Sequence, residues 1–198
     1  MDRPDFYAVT RGAPAHPTLL HALQCWSGAP GLALDLGCGA GRDTLELLRQ
    51  GWRVQAVDSA QAGLEALSAL VPGQDEQRLL TVCARFEDIH LPTAQLINSS
   101  FALPFCPPHA FEGLWQRIGR SLSQGGLFAG HFFGDRDEWR DRDLTIHTRG
   151  DVEQLFQGWE LLQFEEHEWQ GKTAVGSQKH WHLFAVVARH GLKHQPMR

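Results

Sequence analysis

Apolar residues along this chain fall into short runs that alternate between two periods. From Thr18, Leu19, Leu20, Leu23 and Trp26 recur at helical spacing, and Gly28, Pro30 and Gly31 stop that helix. LALDLG (32–37) is the continuous apolar run expected of a buried parallel strand. Glycines follow it, then a helix carrying Leu45 and Leu48 inward and ended by Gly51. The pattern repeats with WRVQAVD (52–58) as a strand and a helix carrying Leu64, Leu67, Leu70 and Val71. Ser59 is the expected cap of that helix, and Pro72-Gly73 its stop. LLTVCAR (79–85) and AQLINSS (94–100) read as the third and fourth strands. Pro107-Pro108 opens a helix with Phe111, Leu114, Trp115, Ile118 and Leu122 on one face. Gly125-Gly126 reads as a turn into a fifth strand, GLFAGHFFG (126–134).

Strand–helix alternation over residues 31–134 predicts a parallel sheet covered on both faces. The end of the chain differs. Thr148 and Asp151 form a capping-box pattern before a short helix. WELLQFEEHEW (159–169) and WHLFAVVARH (181–190) then read as a hairpin closing one sheet edge. The expected organisation is an irregular segment at 1–16, a single α/β domain at 17–190 and a polar tail at 191–198.

Composition narrows the function classes. A hydrophobic fraction of 42% supplies a closed core, and a net charge of -5 lacks the basic field of a non-specific nucleic-acid binder. Cys25, Cys38, Cys83 and Cys106 are scattered without a CxxC pair, so reduced thiols and a cytoplasmic setting are expected. No apolar run reaches the length of a membrane span, and the first residues lack a signal-peptide core.

The strongest chemical signal is DLGCGAG (35–41), between a strand and a helix. Small residues there let the backbone turn sharply and present N–H groups to a ligand at a helix N-terminus. A dinucleotide fingerprint needs G-x-G-x-x-G, but from Gly37 and Gly39 the third position holds Arg42, and the glycine falls one place early at Gly41. Asp35 also repels a pyrophosphate while attracting a cation. S-adenosylmethionine carries a sulfonium and an ammonium and no phosphate, so it suits this loop better than NAD. Asp58 closes the second strand, where a carboxylate accepts both hydroxyls of a ribose.

The stretch DLGCGAGRDTLELLRQGWRVQAVD resembles the motif-I to motif-II region of class I S-adenosylmethionine-dependent methyltransferases. The resemblance extends over residues 17–190 and is nearest to tellurite-resistance-type small-molecule methyltransferases. It implies a Rossmann-like three-layer fold, with a mostly parallel seven-stranded sheet and an antiparallel strand in its C-terminal hairpin. It assigns the methionine part of the cofactor to Asp35, Gly37, Cys38, Gly39 and Gly41, and the ribose to Asp58 with Ser59 beside it. ARFEDI (84–89) resembles the segment that meets adenine. Arg85 stands at its usual acid position, leaving Phe86 and Glu87 as candidates. The loop after the fourth strand implies Asn98 and Ser99 for the cofactor and Phe101 for the acceptor.

Methyl transfer from a sulfonium is an in-line displacement that positioning alone accelerates strongly. His131, in the fifth strand, is the candidate for touching substrate and for catalysis. His180 and His182 share a strand face, and with no further ligands nearby they read as a solvated hairpin surface and not a metal site. Trp139, Trp169 and Trp181, with Phe6 and Tyr7, are candidates for covering the pocket. Arg11, Arg136, Arg140 and Arg142 are candidates for steering an anionic acceptor, with solvent exposure the plainer reading of each. The expected partner is a small-molecule acceptor. Competing classes are a non-catalytic cofactor-binding or interaction domain and an NAD-dependent oxidoreductase.

Overall fold

The computed structural model describes residues 3–10 and 12–191, with side chains from Tyr7 onward. Two helices, α1 (Arg3–Thr10) and α2 (Pro17–Cys25), precede β1 (Leu32–Leu36), α3 (Arg42–Arg49), β2 (Arg53–Asp58), α4 (Gln61–Ser68), β3 (Leu79–Cys83) and β4 (Ala94–Ser99). Then come α5 (Pro108–Ser121), β5 (Leu122–Gly134), β6 (Ile146–His147), α6 (Arg149–Leu155), β7 (Glu160–Lys172) and β8 (Gln178–Arg189). The sheet runs β3-β2-β1-β4-β5-β8-β7. The first five strands are parallel, and β8 lies antiparallel between β5 and β7. The two-residue β6 pairs with the end of β5, making an eighth strand beyond the seven anticipated.

The three layers follow from which strand face each helix covers. On one side, Leu19 and Ala22 of α2, Leu47 and Leu48 of α3 and Leu64 and Leu67 of α4 close over Ala33, Val54, Leu96, Leu127 and Val187. On the other, Phe111, Leu114 and Ile118 of α5 and Val152 of α6 pack on Leu34, Ile97, Phe128, Phe132 and Phe184. Thr148 and Asp151 make the reciprocal capping box at the start of α6. Among the described residues no helix is long and apolar enough to cross a membrane.

Four expectations are corrected. The N-terminal segment is not irregular throughout, since α1 forms there and lies against α4. Arg11, the Phe6 side chain and residues 192–198 of the tail lie outside the described residues. Ser59 does not cap α4. The cap residue is Ala60, which has no side-chain cap bond, and its own N–H donates to Asp58 Oδ1 at 2.8 Å. Gly125-Gly126 is no turn between elements but an irregularity inside β5. Gly125 adopts a positive φ of 74° and the pairing with β4 shifts register there, so β5 starts four residues earlier than its apolar run.

The fourth correction concerns His182, which is fully buried and not on a solvated face. The Arg136 N–H donates to its Nδ1 at 3.0 Å, and its Nε2 lies 3.0 Å from Glu166 Oε1. Glu166 and Glu168 accept from the Arg136 guanidinium, so this arginine is spent on the hairpin. His180 is only partly exposed and its Nε2 contacts Glu168 at 2.9 Å. Strand alternation set the shared face correctly; the cover comes from Arg136, in the loop after β5, held by Glu166 and Glu168 of β7, and periodicity does not reach that loop.

Candidate cofactor and acceptor site

The glycine loop sits at the carboxyl ends of β1 and β2, where parallel sheets hold their ligands. Gly37, Gly39 and Gly41 all adopt positive φ (77°, 54° and 88°), a conformation open to glycine and strained for other residues. The N–H groups of Gly37 and Cys38 both donate to the Val57 carbonyl, at 2.8 and 2.9 Å, pinning the loop to the end of β2. The Gly39 N–H donates to Asp58 Oδ2 at 2.9 Å. Loop and acid are thus one unit. Each Asp58 oxygen accepts a single backbone N–H and keeps a lone-pair direction free. Ser59 follows on the surface, and the Cys38 thiol is buried under the loop, where burial holds it well above the usual thiol range.

Beneath the loop lies a buried polar cluster. The Asn98 amide donates to Asp35 Oδ1 and to Asp43 Oδ2, each at 2.9 Å. The Thr44 hydroxyl donates to Asp35 Oδ2 at 2.5 Å. Asp43 also accepts from the His16 backbone N–H at 2.8 Å, and the His16 Nδ1 stands 3.1 and 3.0 Å from its two oxygens. Two adjacent buried carboxylates do not both ionise cheaply. Burial and then the neighbouring Asp43 raise Asp35 to about 7. Burial works the same way on Asp43, but the hydrogen bonds from His16 overcome it and hold this carboxyl well below the usual range. Of the two carboxyls, Asp35, which has only neutral donors, is therefore the first to take a proton.

A pH dependence follows. Folded Asp35 keeps its proton to about pH 7, whereas an unfolded aspartate loses it near pH 4, so between these values the unfolded state binds fewer protons and stability falls as pH rises. Urea titrations at several pH values should show wild type losing stability relative to Asp35→Asn from about pH 4 to about pH 7. Parallel curves for the two proteins would contradict the protonated Asp35.

Ser99 is buried with its hydroxyl donating to the Leu36 carbonyl at 2.9 Å, so it ties β4 to β1. Asn98 and Ser99 are thereby brought to the loop from below, and Asp35 is enclosed with both oxygens engaged. Phe86 is half-buried against the α5-side core, near enough to Gly37 that a Cβ built there would stand 3.6 Å from its ring tip. Arg117 Nη2 donates to the Phe86 carbonyl at 2.5 Å and to that of Glu87 at 3.3 Å, fixing the segment after β3. Glu87 is half-buried and Arg85 exposed.

The exit of β4 turns the chain across this end of the sheet. Phe101 is the one non-glycine residue with positive φ (56°) among the described residues. Its ring stacks on His131 at 4.2 Å and meets Trp181 edge-on at 6.0 Å. The two acceptor-side candidates are thus in contact. His131 is buried, its Nε2 lies 2.9 Å from the Thr18 hydroxyl, and its Nδ1 has no protein partner. Burial lowers its pKa to about 3, leaving a neutral imidazole at physiological pH.

Beyond it the aromatic side chains close ranks. Trp169 stacks on Trp181 at 5.7 Å, and Trp139 lies 5.9 Å from Trp181. The buried Lys179 ammonium sits among Trp181, Trp139 and Phe133 at 3.6, 4.5 and 4.7 Å from their ring centroids, and Asp137 Oδ2 pairs with it at 2.5 Å. Arg142 stacks on Trp139 at 4.4 Å, and Arg140 is exposed. Tyr7 of α1 approaches Gly63 beside the Gly39 carbonyl. Among the described residues no group of three or more His, Cys, Asp or Glu is placed to hold a metal ion.

Sequence reasoning missed His16, Thr18, Asp43 and the Asp137–Lys179 pair. The RD dipeptide after Gly41 was visible, but its partner His16 stands 27 positions earlier in a segment without periodicity. No local signal marks that pairing.

Strand order, the glycine loop after β1 and the acid closing β2 define the fold of class I S-adenosylmethionine-dependent methyltransferases. A protein-family model described as a methyltransferase domain matches residues 33–126. In structure the chain is similar to TehB from Haemophilus influenzae, with a TM-score of 0.73 at 18% identity over 88% of this chain and 62% of that one. It is similar too to an S-adenosylmethionine-dependent methyltransferase from Methanosarcina mazei, with a TM-score of 0.70 at 15% identity over 91% and 100%. In sequence it is 31% identical over 126 residues to carboxy-S-adenosyl-L-methionine synthase of Dichelobacter nodosus, covering 60% of this chain and 53% of that protein. The same-named protein of Mannheimia succiniciproducens is 27% identical over 149 residues, 71% and 60%. The chain therefore spans between half and two thirds of the length of these curated relatives. The expected nearness to tellurite-resistance-type enzymes is met by the structural likeness to TehB, whereas the curated sequence matches are carboxy-S-adenosyl-L-methionine synthases.

Proposed function

We propose that this chain binds S-adenosylmethionine and moves its methyl group to a small-molecule acceptor by in-line displacement. The observation that carries this is the union of the glycine loop with Asp58, whose oxygens each hold one backbone N–H and retain acceptor capacity for a ribose hydroxyl. Negative charge at Asp43 beneath the loop suits a sulfonium and an ammonium and opposes a pyrophosphate. Gly37, Cys38, Gly39 and Gly41 receive the methionine part from above, with Asp35, Asn98 and Ser99 setting the loop's floor. Ser59 flanks the ribose, and Phe86 and Glu87 border the adenine. Phe101 and His131 form the acceptor-side wall. When bound, the cofactor supplies an electrophilic methyl group on a cationic sulfur. The protein's part is alignment and exclusion of water, which are capable of providing several kcal/mol.

Calorimetric titration tests this reading. S-adenosylmethionine should bind and NAD should not; tight NAD binding would instead favour an oxidoreductase. Asp58→Ala removes two charge-assisted hydrogen bonds to ribose, so affinity should fall about 10- to 100-fold. An unchanged dissociation constant would remove Asp58 from the site. Incubating the protein with methyl-labelled cofactor and a metabolite extract, followed by mass identification of labelled products, should yield a methylated small molecule. Cofactor returned intact against every acceptor would mark a binding module. The names of the sequence relatives favour a second reading, in which S-adenosylmethionine is itself converted to a carboxy derivative. That product would appear as a heavier cofactor in the same spectra.

A further inference from the structure

We propose that His16, oriented by Asp43, is the general base that takes the proton from the methyl acceptor, and that the acceptor therefore enters as a protonated O–H, N–H or S–H group. This rests on the methyl-transfer reading above. His16 precedes α2, and four contacts bind it to the first turn of α3. Its backbone N–H donates to Asp43 Oδ1, its Nδ1 lies within 3.1 Å of both Asp43 oxygens, and its Nε2 lies 2.8 Å from Arg42 Nη1. A guanidinium only donates, so Nε2 must offer its lone pair and the imidazole proton must sit on Nδ1, facing Asp43. That is the tautomer of a carboxylate-oriented base.

The location fits the role. The His16 ring stands 5.3 Å from Phe101 and 5.9 Å from His131, the two acceptor-side residues, while Asp43 links it to the floor of the glycine loop through Asn98. His16 is partly exposed, unlike Asp43 behind it. His131 makes a poor base, being enclosed, held by Thr18 and disfavoured as a cation. The charged and titratable groups facing His16 are Asp43 and Arg42 from α3 and His131 from β5. Asp35 stands behind Asn98.

In the step, the acceptor displaces the Arg42 N–H from Nε2 and its proton passes to that nitrogen. The freed electron pair on the heteroatom forms the bond to the methyl carbon. The carbon–sulfur pair remains on sulfur, giving S-adenosylhomocysteine, and Asp43 stabilises the imidazolium until its proton returns to water. Asp43 is a positioning residue here, and Arg42 guards the lone pair in the free protein.

His16→Asn separates the roles, because the amide still donates to Asp43 from the place of Nδ1 but has no base beyond it. With the acceptor found in the extract screen, this variant should lose about 100-fold or more in kcat. Its cofactor dissociation constant should stay within about threefold, and its rate should climb with pH as the acceptor ionises unaided. In 15N NMR of the wild-type imidazoles without cofactor, His16 should show the Nδ1–H tautomer. A variant kcat within about threefold of wild type, an unchanged pH profile or an Nε2–H tautomer would each overturn the proposal. A wild-type protein that methylates nothing would sink the parent reading and this one together, whereas an active wild type with an unaffected variant sinks only the base.

Discussion

Asp137→Ala is expected to remove about 3–5 kcal/mol of stability, read as a lowered urea midpoint by circular dichroism. The Lys179 ammonium that Asp137 neutralises is fully buried, and burial already pulls its pKa below the usual lysine range against the pull of Asp137. Asp137 also accepts the N–H groups of Trp139 and His182, at 2.9 and 3.1 Å. Deleting the carboxylate strands one cation and two backbone donors where water does not reach. The rings around Lys179 soften the loss, since each cation–π contact is worth roughly 0.5–2 kcal/mol, but they do not accept N–H bonds. The pair Asp137→Asn with Lys179→Met should recover most of the loss, because it removes the charge and keeps one amide acceptor. A single-variant loss below about 1 kcal/mol would mean that water enters this corner of the sheet.

Gly37→Val should abolish measurable S-adenosylmethionine binding, a loss of about 100-fold or more, and cost about 2–5 kcal/mol of stability. Two effects add at this residue. Its φ of 77° is left-handed, which a β-branched side chain resists, and a Cβ there would lie 2.2 Å from Ala102 Cβ. The Ala102 side chain has no rotamer with which to yield, so the loop itself has to move and the Gly37 hydrogen bond to Val57 goes with it. Gly41 is the useful contrast. Its added Cβ would lie 2.3 Å from Leu67 Cδ1, the end of a side chain that is able to turn away. Gly41→Ala should therefore bind more tightly than Gly37→Ala in the same calorimetric assay. The reverse order would show that loop position is set elsewhere than at Ala102.

What was legible in the sequence divides along physical lines. Strands β1 to β4 and helices α2 to α6 announce themselves because short apolar runs, glycine breaks and the Thr148–Asp151 box act locally. The loop and Asp58 were readable for the same reason, since both lie at the ends of predicted strands. Phe101 and His131 were found separately, but their stacking depends on the β4–β5 pairing and a left-handed residue that no composition rule demands. His16 and Asp43 were invisible because their hydrogen bonds join an aperiodic segment to a helix start through tertiary packing. His182 was misread because strand alternation tells which face a residue shares and not what covers that face. α1 was hidden by Pro4 and Gly12 in a stretch with weak apolar periodicity.

The berth formed by Trp181, Trp139 and Phe133 is of the kind that captures methylated nitrogen cations, yet Lys179 fills it from within. The protein is thus its own guest at this corner, and a visiting quaternary ammonium would find the seat already filled.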